Sequence, residues 1–144
     1  MEYHVESLLR GNMFMDLFES RCAGIMGKYN LRRVDTEVIS YLYNNQDKNT
    51  AGDIGRFLNR NKGYISQVVD RLCQEEYITA VPDREDRRYV HYLVCPKSKE
   101  VAEDVKVLWE EISEELFEGI SEEERTVFRS VALKLRENMI QMNK

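Results

Sequence analysis

TAGDIGRFLNRNKGYISQVVDRLCQEEY, residues 50–77, decides how the rest of this chain is read. Thr50-Ala-Gly-Asp53 has the form of a capping box, with Asp in place of the preferred Glu or Gln. Ile54, Phe57 and Leu58 then give a short helix one apolar face. Asn59-Arg60-Asn61 predicts a turn, and Asn61 can cap a second helix from Lys62 that buries Ile65, Val68 and Leu72, with Val69 beside them. Two short helices joined by a tight polar turn, each with a narrow apolar stripe, form a helix-turn-helix pattern.

Residues 77–95 make that pattern more specific. Tyr77–Val81 and Tyr89–Cys95 are rich in β-branched and aromatic residues and predict two strands. Between them lies Pro82 and a charged tip in which Arg84, Arg87 and Arg88 alternate with Asp83, Glu85 and Asp86. A hairpin directly after the second helix makes a wing, with the tip at the far end from the helices. Arginine suits a narrow DNA minor groove, where the negative potential is enhanced and a flat guanidinium fits. Three crowded arginines would splay apart. An interleaved acid such as Asp86 can hold Arg88 by a charge-assisted bond and order the tip while Arg84 or Arg87 inserts.

Outward from this centre the chain is helical. From Glu2 to about Lys28 an apolar stripe runs through Val5, Leu8, Leu9, Met13, Leu17, Phe18, Ile25 and Met26. A second helix is predicted to begin near Asp35 as its N-cap and to end at the polar run Asn44–Asn49. After the wing, Val101, Val105, Leu108, Ile112, Leu116 and Ile120 recur at spacings of three or four, and Ser121–Glu124 is a capping box opening a last helix. The predicted fold is mainly α with a small β-hairpin wing. Residues 31–95 are expected to form a winged helix-turn-helix domain, and residues 1–30 and 96–144 a helical dimerisation region from both chain ends.

Composition bounds the function. With 144 residues, 42% hydrophobic and 33% charged, the chain can bury a real core and is ordinary for a globular protein. It has no stretch of about 20 apolar residues and no apolar leader, so a cytoplasmic protein without membrane contact is expected. Cys22, Cys73 and Cys95 lack metal or disulfide spacing, and phosphate-loop, dinucleotide and hydrolase signatures are absent. No enzyme activity, metal or cofactor is expected. The net charge of −5 is uneven: residues 96–144 hold 12 acids and 8 bases, whereas residues 28–92 hold 11 bases and 10 acids. A local basic face is compatible with an acidic chain, because phosphate attraction is screened over roughly 8 to 10 Å.

The order helix, helix, short helix, turn, helix, basic hairpin, two long amphipathic helices resembles the MarR family of transcriptional regulators. VVDRL at 68–72 and PDREDRR at 82–88 carry the resemblance. In that family Asp-x-Arg marks the wing, which matches Asp86 and Arg88. The resemblance implies a homodimer, packed through both chain ends, that binds double-stranded DNA at a pseudo-palindromic operator. The chain departs from the family pattern in three places. Glu76 stands where a Gly usually ends the recognition helix, Ala80 and Val81 replace basic strand residues, and Val94-Cys95-Pro96-Lys97-Ser98 follows the wing.

A major groove about 12 Å wide admits one helix, whose first turns face the base edges. The candidate DNA-reading residues are therefore Asn61, Lys62, Gly63, Tyr64, Ser66, Gln67 and Arg71 on the second helix, with Arg84, Asp86, Arg87 and Arg88 on the wing. Gln67 can pair twice with adenine, Gly63 permits close backbone approach, and Lys62 and Arg71 can reach phosphates. Tyr29, Tyr41, Tyr43 and Trp109 are candidates for a cleft that would take a small aromatic effector. One branch of the family senses peroxide through an N-terminal cysteine near tyrosines, which would cast Cys22 with Tyr29 or Tyr41 as a sensor. Cysteine is more often a small buried apolar residue. The leading expectation is a ligand-responsive repressor. The alternatives are a winged-helix module that binds protein instead of DNA, and a thiol-based regulator using Cys22.

Overall fold

A computed structural model of the protein describes residues 13–143. Val5, Leu8 and Leu9 of the expected N-terminal stripe lie outside the described residues. The described elements are α1 (Met13–Tyr29), α2 (Arg33–Asn44), α3 (Ala51–Leu58), α4 (Lys62–Gln74), β1 (Ile78–Pro82), β2 (Val90–Val94), α5 (Lys97–Leu116) and α6 (Glu122–Met142). This is a mainly helical chain with one two-stranded antiparallel hairpin. Two compact units divide between Trp109 and Glu110, inside α5. Within the first unit, α1 and the first turns of α5 pack on the core formed by α2, α3, α4 and the hairpin. Phe18, Cys22, Val101 and Val105 are all buried there.

In the first unit the local signals act as physical chemistry requires. Thr50 Oγ1 accepts from the Asp53 N–H at 3.2 Å while the Asp53 carboxylate accepts from the Thr50 N–H at 3.1 Å, which opens α3. Asn59, at φ 52°, closes α3, and Arg60 N–H donates back to the Gly55 carbonyl at 2.9 Å. That return is tight: a Cβ on Gly55 would stand 2.7 Å from the Arg60 carbonyl oxygen. Asn61 Oδ1 accepts from Tyr64 N–H at 2.7 Å and caps α4. Ile54, Ile65, Val68, Val69 and Leu72, all but inaccessible, lock the two helices together.

Two boundaries differ from expectation. Asp35 is not the N-cap of α2 but lies three residues beyond it, accepting from Arg32 N–H at 2.7 Å. The α4 terminus also keeps the geometry its sequence had put in question. Glu76 takes φ 62°, Glu76 N–H donates to Cys73 O at 3.1 Å, and Tyr77 N–H donates to Leu72 O at 2.9 Å. This is the double closure in which glycine is usual, held here by Glu. Lys97 completes it by donating to the Glu75 carbonyl at 2.8 Å and lying over the Tyr77 ring.

β1 and β2 pair from Ile78↔Val94 to Pro82↔Val90. Strand alternation puts Ile78 and Tyr92 into the core and Thr79, Val81, His91 and Leu93 on the outer face. The loop before α3 runs beside β2, with Tyr92 N–H donating to the Asn49 carbonyl at 3.0 Å.

In the second unit, Ser121 caps α6 in a reciprocal box with Glu124. Arg125 donates to the Phe117 and Ile120 carbonyls at 2.8 and 3.1 Å, tying the first turn of α6 to the turn that follows α5. Phe117 and Phe128 meet edge to face, with ring centres 6.1 Å apart. No residue of α6 is buried, and Val127, Phe128, Val131, Leu133, Leu135, Met139 and Ile140 are exposed.

Candidate nucleic-acid interface

The fold presents two candidate surfaces, the start of α4 and the tip of the wing. The apolar stripe of α4 faces inward, so Asn61, Lys62, Gly63 and Gln67 are exposed, and Tyr64 and Ser66 are half-buried. Tyr64 lies under the Arg60 guanidinium, 5.8 Å from its ring centre, which limits the ring's freedom. Arg71 is placed differently. Its guanidinium pairs with the carboxylate of fully buried Asp35, so it ties α4 to the start of α2. A buried carboxylate requires such a partner, so the Arg71 guanidinium has an internal role.

The wing tip is ordered by two aspartates. Asp83 Oδ1 accepts from the Glu85 and Asp86 N–H groups at 2.9 and 3.0 Å, and Asp83 N–H donates to the Tyr89 carbonyl at 2.9 Å. Asp86 receives Arg88 as a fork, with Nε to Oδ1 at 2.9 Å and Nη2 to Oδ2 at 2.7 Å, and also accepts the Arg88 N–H at 3.1 Å. The Arg88 guanidinium holds the Asp86 carboxyl below the usual carboxylate range. Arg84 and Arg87 are exposed and have no hydrogen bond or ion pair among the described residues. Arg88 is thus fixed while two arginines project from the same short turn.

Sequence reasoning missed three members of this region. Asn49, Asp83 and His91 come from three segments and meet only when the hairpin register is set: His91 Nδ1 is 2.6 Å from Asn49 Oδ1, and His91 Nε2 is 2.7 Å from Asp83 Oδ2. The His91 bond, with the two backbone donors, holds the Asp83 carboxyl down at about 2.

The effector candidates separate. Tyr41 and Trp109 line one cleft of about 320 Å³ together with Phe18, Glu37, Phe57 and Leu58. Phe18 stacks on Trp109 with ring centres 4.4 Å apart, and Tyr41 meets Phe57 at 4.8 Å. Burial pushes the Glu37 carboxyl up. Tyr29 lies elsewhere, donating to Asp104 at 2.7 Å, and Tyr43 packs against the core. Cys22 is fully buried, with Thr36 Oγ1 at 3.7 Å, and burial pushes its thiol up. A sensing thiol needs the opposite on both counts. No group of His, Cys, Asp and Glu suited to a metal occurs among the described residues, and no described helix is long and apolar enough to cross a membrane.

Residues 31–98 match the winged helix DNA-binding domain family. The HTH-type transcriptional regulator YsmB of Bacillus subtilis (strain 168) is 24% identical over 115 residues, covering 80% of this chain and 78% of that protein. Among solved structures, a MepR–DNA complex from S. aureus is 19% identical with a TM-score of 0.78, covering 94% of this chain and 96% of that one. MarR is 20% identical with a TM-score of 0.76, covering 99% and 95%. Residues 31–98 are thus similar to winged helix DNA-binding domains, and the fold of the chain is similar to that of MepR and MarR.

Proposed function

We propose that the protein is a sequence-specific, double-stranded DNA-binding transcriptional regulator acting as a homodimer, a repressor that a small ligand releases from its operator. The observation that carries this reading is the division of labour at the wing. Asp86 immobilises Arg88, while Arg84 and Arg87 project without partners among the described residues. A hairpin tip that only needed solvation would gain nothing from this, since exposed ion pairs contribute about 0 to 1 kcal/mol. An ordered turn with two projecting guanidinium groups suits insertion into a minor groove while the start of α4 reads the neighbouring major groove. MepR has been solved with DNA in the same fold, which supports the reading.

One such domain contacts too little DNA for a regulator. The uncovered apolar face of α6 supports a second copy as its occupant, with residues 1–30 and 96–144 forming the dimer region around a two-fold axis. Two recognition helices about one DNA turn apart would then meet a pseudo-palindromic site. The cleft between Tyr41, Phe57 and Trp109 is large enough for a small aromatic ligand, which would act by changing the separation of those helices.

Selection of genomic DNA fragments by the purified protein tests the reading. A two-fold symmetric site is expected, with affinity falling steeply as salt rises because phosphate contacts release counterions. Recovery of no enriched sequence, or affinity indifferent to salt, would overturn it.

A further inference from the structure

We propose that His91 is a positioning residue of the wing: in its doubly protonated form it clamps the tip, through Asp83, to the loop before α3, so that losing the ring proton loosens the tip and weakens DNA binding. The inference rests on the DNA-binding reading above, and its test has a readout that does not require DNA.

The geometry fixes what each ring nitrogen faces. Asn49 is buried, and its Nδ2 donates to the Gln46 carbonyl at 2.9 Å, so its Oδ1 is the atom turned toward His91 Nδ1. On the other side Nε2 faces Asp83 Oδ2. Both ring nitrogens therefore meet acceptors, and only the imidazolium supplies two donors. A neutral ring would set a lone pair against an oxygen 2.6 or 2.7 Å away. Flipping the Asn49 amide would only move the conflict to the Gln46 carbonyl.

Asp83 carries the consequence to the tip. Its second oxygen is the one that accepts the Glu85 and Asp86 N–H groups, and Asp86 in turn fixes Arg88. The ring, one carboxylate and two backbone donors thus form a continuous chain from the loop before α3 to the arginines. The ring contacts Asp83 and neutral Asn49, and the cavity it borders is also lined by Arg84 and Glu85 from the tip, Val81 and Pro82 from β1 and Leu93 from β2. Asp83, held at about 2, stays ionised at every pH above strong acid. Histidine is the side chain whose charge changes in the neutral range. Acidification toward that low value removes the Asp83 end of the clamp, whereas loss of one ring proton removes the His91 end.

The test uses the full-length protein. Affinity for a DNA fragment selected by the protein is measured by fluorescence anisotropy from pH 6 to pH 8.5 at fixed ionic strength, for wild type and His91→Gln. Ring ¹⁵N shifts and the Glu85 and Asp86 amide signals of the free wild-type protein are tracked over the same range. Wild-type affinity should fall at least threefold more than that of the variant, and both tip amides should titrate together with the ring. Parallel pH profiles of wild type and variant overturn the proposal. So do tip amides that ignore the ring's titration, a result readable even if no DNA is bound, in which case the DNA-binding reading fails separately.

Discussion

Replacing Gly55 with Ala puts the geometry of the helix-turn-helix on trial. In an exposed helix interior, Gly→Ala gains about 0.5 to 1 kcal/mol by restricting the unfolded chain. At Gly55 the added methyl would stand 2.7 Å from the Arg60 carbonyl oxygen, against the 3.4 Å and more of ordinary contact, and 3.8 Å from Ile65 Cγ1. The atom in the way is backbone, fixed by the Arg60 N–H bond to Gly55 and by the Asn59 and Asn61 conformations on either side. Overpacking of this kind costs about 1 to 3 kcal/mol, so the net effect should be a loss of about 0.5 to 2 kcal/mol. For a chain of this size that lowers Tm by about 2 to 8 °C, measured by circular dichroism at matched protein concentration. Gly63→Ala is the internal control. Its nearest neighbour, Asn61 Oδ1, lies at 3.5 Å, so the fold should be at least as stable. Its methyl would project from the exposed first turn of α4, and affinity for selected DNA should drop. A Gly55→Ala protein that melts at or above the wild-type temperature would refute the argument from close approach.

Other substitutions separate structural from binding roles. Glu76→Gly should raise stability by about 0.5 to 1 kcal/mol in chemical denaturation, because glycine adopts φ 62° without the cost a side chain incurs. Arg71→Met should cost about 1 to 3 kcal/mol by leaving Asp35 buried without its guanidinium, and any loss of DNA affinity should track that instability; an unchanged Tm would refute the internal role. Asp86→Ala should leave Tm unchanged yet weaken DNA binding on the order of tenfold as Arg88 is released. Because Arg88 depresses the Asp86 carboxyl, its ordering contribution is complete above the ordinary carboxylate range and lost only as pH falls through the lowered value. Phe128→Glu, on the uncovered face of α6, should give a single-chain mass in light scattering and lose cooperative DNA binding.

The features legible in the sequence are those decided within a few residues. Thr50, Asn61 and Ser121 cap their helices because a side-chain oxygen three residues from a free N–H has little choice. The Asp86–Arg88 fork spans two residues and is equally local. Asp35 shows where local reading stops: a good capping residue is drawn inside the helix, where its carboxylate serves both the Arg32 N–H and Arg71 from a distant helix. Glu76 shows the converse, since a residue poorly suited to a left-handed position is held there by two backbone bonds and by Lys97. The Asn49–His91–Asp83 cluster could not be read at all. It exists only once β2 is registered against β1 and the preceding loop is laid alongside. Tyr29 and Tyr41 are the same residue type, but tertiary packing assigns only Tyr41 to the cleft with Phe18, Phe57 and Trp109.

The bare face of α6 has a thermodynamic corollary. A helix that buries none of its own side chains draws little of its order from the unit that bears it, so its persistence is coupled to whatever covers that face. If the cover is another copy of the same chain, dilution alone should erode the fold, and the melting temperature becomes a function of abundance. A cell would then set how much of the chain is folded partly by how much of it is made.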